Sequence, residues 1–285
     1  MNNHPDLALG CRLPDEQWIH LNLKAAFEDP SLRRYIAPFP PAELMSNVSG
    51  LADERDFAAH GCHFYQALTR AAGRKLCEFP SLLDFGCGVG RLMRLLKGFP
   101  GALHGCDIDP RHVAWMSANI DYCRTVQSRV TPPLPYEARS FDAIISISVF
   151  SHLEERSQFA FLEELARVAR PGATLLLTIH GDRAMRRART EKAIFDMIAV
   201  PADRFEETAT RYDQGGYGFI LQQGHLTRKG EGQGSASILE DEYEYGITFI
   251  PKAYVEREWS RWFEVRQIVD GGLHDFQDIV VLRAR

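Results

Sequence analysis

A short apolar run that ends in alternating glycines constrains the fold of this chain more than any other feature. Residues 81–85 read SLLDF, and Gly86, Gly88 and Gly90 follow in a G-x-G-x-G pattern. Glycines at this spacing let the backbone turn tightly and approach a ligand where a strand gives way to a helix. The pattern predicts an open α/β sheet that binds its ligand beyond the carboxyl ends of the strands.

Strands and helices alternate after this point. Further strands are predicted at residues 102–107, 123–128, 141–147 and 174–179, and helices at residues 91–97, 110–121 and 154–170. The last two strands, residues 263–269 and 278–283, are joined by too short a connection for a crossover helix, so they should pair antiparallel. The expected fold class is α/β, a doubly wound, seven-stranded and mostly parallel sheet with the last strand antiparallel.

Two segments depart from this alternation. Residues 1–78 read as helical and irregular, and we expect them to form an N-terminal cap on a Rossmann-like domain of residues 79–285. Residues 181–250 interrupt the pattern after the fifth strand, with a helical stretch and then a glycine-rich, β-like stretch at residues 215–246. This insertion should be part of the substrate pocket, since loops on a rigid sheet carry specificity.

Charge argues against nucleic acid as a partner. The net charge is −5, which gives phosphate binding no general electrostatic support. The basic run at residues 183–189 is interpreted as the solvated face of a helix.

No apolar run reaches the roughly 18 residues of a membrane span, and the N-terminus lacks the features of a signal peptide. Six cysteines without a C-x-x-C pair indicate neither a metal site nor a disulfide framework, so a cytoplasmic protein is expected.

Two acids accompany the glycines. Asp84 precedes them, where its carboxylate would repel a pyrophosphate but not a cationic ligand group. Asp107 ends the second strand in the sequence GCDIDP, where an ionised carboxylate can accept hydrogen bonds from ribose hydroxyls. Asp109 is interpreted as the cap of the helix that Pro110 begins.

These motifs resemble those of the S-adenosylmethionine-dependent methyltransferases of the Rossmann-like (class I) superfamily. The similarity continues through residues 134–142, 148–153 and 165–172, so it covers about residues 80–180 closely. It implies S-adenosylmethionine as the cofactor. The residues that it places at the cofactor are Asp84, Gly86, Cys87, Gly88, Gly90, Asp107, Ile108, Ser128, Arg129 and Ser148. Many members carry an acid for the adenine amine after the third strand, whereas residues 127–130 here read QSRV, so Ser128 or a backbone carbonyl is the alternative.

Methyl transfer needs a base only when the acceptor must lose a proton. His152 after the fourth strand and His180 at the end of the fifth are the candidate catalytic residues, and a structural role is the alternative for each. A histidine base would make the rate rise with pH near 6.5. The further residues interpreted as pocket lining are Tyr217, His225, Tyr243 and Tyr245. His274 and Gln277 are interpreted as part of a hairpin loop, and reach into the pocket is the alternative.

The expected function is direct methyl transfer to oxygen or nitrogen of a small molecule or glycan. Two alternatives stay open: a nicotinamide-dependent oxidoreductase, against which Asp84 and the glycine spacing argue, and a catalytically silent binding protein of the same fold. The oligomeric state is not predicted.

Overall fold

A computed structural model of the chain describes residues 9–223 and 244–285. Its main sheet has seven strands in the order β3-β2-β1-β4-β5-β9-β8. These strands are β1 (Ser81–Phe85), β2 (Ala102–Asp107), β3 (Arg124–Gln127), β4 (Phe141–Ser146), β5 (Ala169–Ile179), β8 (Phe263–Leu273) and β9 (Gln277–Ala284). A separate two-stranded sheet pairs β6 (Gly218–Gln223) with β7 (Tyr245–Phe249).

The strand pairing confirms the predicted fold class. β1 lies between β2 and β4 and is parallel to both, and β3 is parallel to β2. β9 is antiparallel to both β5 and β8. The strand order changes direction between β1 and β4. Open α/β sheets bind their ligands at such a point. All five residues of β1 are buried, as expected for a central parallel strand.

The chain divides into two compact units, Met1–Ser128 with Phe141–Ile145, and Arg129–Ser140 with Ser146–Arg285. Within the first unit, the described residues ahead of β1 are helical or irregular. The helices are α1 (Asp15–His20), a π-helical segment (Leu21–Ala25), α2 (Ala26–Glu28), α3 (Ala42–Ser49) and α4 (Glu54–Ala72). Asp53 caps α4 by accepting from the backbone N–H groups of Arg55 and Asp56, and Gly73 ends it in a left-handed conformation.

The predicted helix at residues 91–97 is wrong in extent, because only Met93–Leu96 form a helix, and it is a 3-10 helix. Arg94 within this helix is buried, and its guanidinium donates to the carbonyls of Ala37 and Pro38 at 2.8 Å each. Every residue of Met93–Leu96 is buried, and Gly98 follows with a positive φ of 84°. The glycine loop therefore does not lead into a regular α-helix, so it lacks the dipole of a long helix at this point.

The second unit holds the predicted insertion. Its helices are α6 (Glu155–Val168), α7 (Asp182–Thr190), α8 (Lys192–Ile198), α9 (Ala202–Asp213) and α10 (Lys252–Glu258). One hydrophobic cluster joins α7, α8, α9, β6 and β7, and Met185, Phe205 and Phe249 are among its buried members. Among the described residues, no helix is long and apolar enough to cross a membrane.

Candidate functional site

The glycine loop is held against β2 by backbone hydrogen bonds. The N–H groups of Gly86 and Cys87 both donate to the carbonyl of Cys106, at 2.9 and 3.0 Å. Gly86, Gly88 and Gly90 have φ values of 79°, 53° and 78°, in the left-handed region that side chains disfavour. The glycines are thus required by the backbone conformation of the loop.

Neighbouring side chains also leave little room for a Cβ atom at two of these glycines. A Cβ atom on Gly90 would lie 2.4 Å from the sulfur of the buried Met116, and one on Gly88 would lie 3.1 Å from Cγ1 of Val48. Val48 belongs to α3, so the N-terminal region packs directly on the loop. The thiol of Cys87 is buried and lies against Gly105 of β2, where a Cβ atom would be 2.9 Å from the sulfur.

Asp107 ties the loop to the end of β2. Its Oδ2 accepts from the N–H of Gly88 at 2.8 Å, and its Oδ1 accepts from the N–H of Asp109 at 2.9 Å. Nδ1 of His112 lies 3.2 Å from the same Oδ1. Since each carboxylate oxygen has two acceptor sites, Oδ1 is filled and Oδ2 keeps one for a ligand hydroxyl. The expected contact of Asp107 with the ribose stays a prediction, and Oδ2 offers the open site for it.

Asp84 is a buried carboxyl group at the end of β1, only 3% exposed. Burial, and then the charge of Asp107, raise its pKa to about 7, while Arg91 opposes the shift. A positively charged ligand group beside it would favour the ionised form and offset the cost of burying the charge. The cationic amino group of S-adenosylmethionine fits this requirement, and a pyrophosphate does not.

The remaining predicted residues of the first unit surround these acids. Asp109 caps α5 (Pro110–Asn119), as expected, by accepting from the N–H of Arg111 at 2.8 Å. Ile108 is half-buried, and its carbonyl accepts from the side chain of Gln127. The N–H of the buried Ser128 donates to the carbonyl of Asp107 at 2.9 Å. This backbone contact holds the segment after β3, in which the acid expected for the adenine amine is absent from residues 127–130.

Two predicted cofactor residues lie in the second unit. Arg129 is exposed. Ser148 has a left-handed φ of 58°, which is unusual for a residue other than glycine. The N–H of Ser148 donates to the hydroxyl of Thr178 at 2.8 Å, and its hydroxyl is hydrogen-bonded to the side-chain amide of Gln277. Gln277 thus supports Ser148, whereas His274 is exposed in the turn between β8 and β9.

His152 and His180 lie together in this unit, with ring centres 6.0 Å apart. Nδ1 of His152 lies 2.8 Å from the carbonyl of Gly246, and Nδ1 of His180 lies 3.1 Å from that of Thr248. Because a carbonyl can only accept, Nδ1 carries the proton in both rings and Nε2 keeps a lone pair. Strand β7 thus orients both imidazoles as acceptors.

Aromatic rings enclose the two histidines. Tyr245 stacks on His152 at 4.6 Å, and Phe276 lies 4.9 Å from His180. Tyr217 is buried instead among backbone and core groups and donates to the carbonyl of Leu153. The predicted lining residues His225 and Tyr243 lie outside the described residues.

Three comparisons with known proteins bear on this arrangement. Residues 83–177 match a family model described as a methyltransferase domain. Ajmaline N-methyltransferase from Rauvolfia serpentina is 28% identical over 134 residues, which are 41% of this chain and 45% of that protein. A tRNA N(3)-methylcytidine methyltransferase from Drosophila melanogaster is 27% identical over 146 residues, 47% of this chain and 45% of that protein.

The fold has a structural counterpart as well. A protein from Pyrococcus horikoshii OT3 superimposes with a TM-score of 0.53 at 15% identity, over 78% of this chain and 90% of that one. Residues 83–177 are thus similar to a methyltransferase domain. The chain spans less than half the length of the two curated relatives named above, and these act on different acceptors according to their names. These relatives therefore do not determine a class of acceptor for this chain.

The expected rise in rate near pH 6.5 stays a prediction, and the burial of both histidines argues against it. Burial lowers the pKa of His152 to about 4, and burial followed by the proximity of His152 lowers that of His180 to about 3. Both rings therefore stay neutral across the physiological range. Since a general base works best with a pKa near the working pH, they are better suited to accept a hydrogen bond than to take up a proton.

The neutral histidines give an expected pH dependence of stability. The folded-state pKa of His180, about 3, lies below the unfolded value of about 6.5, so the unfolded state takes up the proton first as the pH falls. The contribution of this neutral ring to stability is complete above about pH 6.5 and is lost towards pH 3. Between pH 7 and 5 we expect it to account for about 2 kcal/mol of lost unfolding free energy.

Urea unfolding of the wild type and of His180→Gln at the two pH values measures this contribution. The variant should lose distinctly less stability than the wild type on acidification, and His20→Gln, at an exposed histidine on α1, should lose as much as the wild type. An equal loss in all three proteins would show that His180 is not held neutral.

Sequence reasoning missed His112 and Asn47. The Nε2 of His112 lies 2.9 Å from Oδ1 of Asn47, while its Nδ1 faces Asp107. His112 stands five positions after Asp107, early in the helix that begins beside it, and this spacing is a usable signal. Nothing in the sequence pattern connects it with Asn47, 65 positions away.

Proposed function

We propose that this chain is an S-adenosylmethionine-dependent methyltransferase that methylates a nitrogen atom of a small molecule. The observation that carries the cofactor assignment is the pairing of a buried Asp84, which favours a cationic ligand group, with Asp107, which keeps one acceptor site beside the glycine loop. These acids suit the two ends of S-adenosylmethionine, Asp84 the amino-acid part and Asp107 the ribose.

S-adenosylmethionine supplies an electrophilic methyl group on a sulfonium. The bond from the methyl carbon to the acceptor forms while the carbon–sulfur bond breaks, and the sulfur keeps the electron pair as a thioether. Holding the acceptor in line with the methyl group can provide much of the acceleration. The task of the protein is therefore to orient the acceptor and exclude water.

The histidines support nitrogen as the acceptor atom. A neutral amine has a lone pair and needs no base before it attacks, whereas a hydroxyl must lose a proton. We propose that Nε2 of His152 or His180 accepts a hydrogen bond from the acceptor N–H and so orients the lone pair of the amine. Neutral rings of low basicity, fixed at Nδ1 by the carbonyls of Gly246 and Thr248, suit that role.

Ion pairs on α7 favour a small acceptor over RNA. Arg183 lies within 3.4 Å of Asp270 and 3.3 Å of Asp275, Arg187 lies 2.7 Å from Glu191, and Arg189 lies 2.8 Å from Asp213. These neighbouring acids neutralise three charges of the basic run, which therefore makes a poor phosphate-binding surface. Together with the net charge of −5, this argues against tRNA as the acceptor.

A labelling experiment tests the class of acceptor. The protein is incubated with methyl-labelled S-adenosylmethionine and either total tRNA or an ultrafiltered small-molecule extract rich in amines. Label should enter the small-molecule fraction and not the tRNA, and Asp107→Ala should transfer far less. Label recovered in tRNA would contradict the proposal.

A further inference from the structure

His112 links the ribose acid to the N-terminal region within the first unit. It lies on α5, is 6% exposed, and places Nδ1 at 3.2 Å from Oδ1 of Asp107. Its other nitrogen, Nε2, lies 2.9 Å from Oδ1 of Asn47 on α3 and 3.5 Å from Oδ2 of Asp109. The nearly buried imidazole of His112 thus connects α5 with α3, and the two helices are far apart in the sequence.

The contact of His112 with Asp107 affects which carboxylate oxygen of Asp107 stays open for a ligand. Oδ1 accepts from the N–H of Asp109 and faces His112, whereas Oδ2 accepts only from the N–H of Gly88 among these partners. The imidazole therefore fills the second site on Oδ1 and leaves the open site on Oδ2, beside the glycine loop. Without His112, the carboxylate could turn and offer either oxygen.

Asn47 anchors the imidazole from the other side. It is exposed on α3, and its neighbours on that helix, Met45 and Val48, pack in one hydrophobic cluster with Val89 of the loop and Trp115 of α5. The side-chain amide can accept from Nε2–H, or donate to an unprotonated Nε2 after a half-turn, since the two amide atoms are assigned from their partners. Since the Asp107 carboxylate only accepts, Nδ1 carries a proton in both cases, so the first arrangement requires the doubly protonated ring and the second the neutral one.

We propose that His112 is a positioning residue for cofactor binding, which holds the Asp107 carboxylate for the ribose while Asn47 fixes the ring, so that α3 contributes to cofactor affinity. This inference rests on the proposed function. It assigns to the N-terminal region a part in binding the cofactor through a bridge of three side chains.

Calorimetric titration of purified full-length variants tests the bridge with two ligands, S-adenosylhomocysteine and an analogue that lacks both ribose hydroxyls. Asn47→Ala and His112→Leu should each weaken S-adenosylhomocysteine binding by about tenfold, as expected for loss of a hydrogen bond to a charged group. The analogue should lose less than about twofold, because it cannot use the acid that His112 positions. His112→Asn, whose amide nitrogen can replace Nδ1, should recover most of the affinity.

Asn119→Ala is the matched control, because Asn119 is exposed on the same helix as His112 and its amide donates to the backbone carbonyl of Trp115 at 2.8 Å. It should bind both ligands as the wild type does. Equal losses for the two ligands in Asn47→Ala, or wild-type affinity in both Asn47→Ala and His112→Leu, would overturn the inference. A wild-type protein that does not bind S-adenosylhomocysteine would instead overturn the proposed function, so the two failures are distinguishable.

Discussion

Replacing Asp107 with alanine is expected to weaken S-adenosylhomocysteine binding by about a hundredfold or more. The change removes one charge-assisted hydrogen bond to the ribose, worth roughly 1.5 to 3 kcal/mol. It also removes the acceptor of the Gly88 and Asp109 N–H groups and the partner of His112. The loop then loses the carboxylate that holds it to β2, and part of the affinity is lost with its fixed geometry.

Calorimetric titration of Asp107→Ala and of Asp121→Ala measures the effect. Asp121 is an exposed acid shortly after α5, so its removal changes the net charge equally without touching the loop. The control should bind within about twofold of the wild type. Wild-type affinity in Asp107→Ala would mean that the ribose is held elsewhere.

Gly90→Ala is expected to cause the largest loss of stability among substitutions in the loop. Gly90 has a left-handed φ of 78°, and a residue with a side chain in this conformation lowers the unfolding free energy by roughly 1 to 2 kcal/mol. The new Cβ would also meet the sulfur of the fully buried Met116 at 2.4 Å, and such overpacking adds roughly 1 to 3 kcal/mol.

Gly50→Ala separates the two contributions. Gly50 ends α3 with a φ of 71°, and nothing lies within 4 Å of a Cβ atom placed there, so its substitution carries only the conformational cost. Urea unfolding should therefore show Gly90→Ala less stable than Gly50→Ala by about 1 to 3 kcal/mol. Equal losses would show that the loop can move away from Met116 without cost.

The elements that position the cofactor residues were predictable from local sequence. The apolar run of β1 ends at the glycine loop, β2 ends at Asp107, and Asp109 with Pro110 marks the start of α5. Each of these signals lies within a few residues of the element that it defines, because strands, caps and tight turns are decided largely by neighbouring side chains.

The remaining features depend on contacts between distant parts of the chain. The helix predicted after the loop is shortened where Arg94 reaches the carbonyls of Ala37 and Pro38. The bridge from His112 to Asn47 has no periodic signal, and the low basicity of His152 and His180 follows from burial, which a single sequence does not show. The same holds for the neutralised basic run on α7, where Asp213 and Asp275 are remote in sequence from the arginines that they pair with.

Cofactor binding by the purified protein tests the central claim most directly. Calorimetric titration with S-adenosylhomocysteine should give a dissociation constant in the micromolar range, about −8 kcal/mol of binding free energy. NAD should give no binding heat, because Asp84 lies where a pyrophosphate would have to approach the glycine loop. Tight NAD binding without any response to S-adenosylhomocysteine would contradict the assignment.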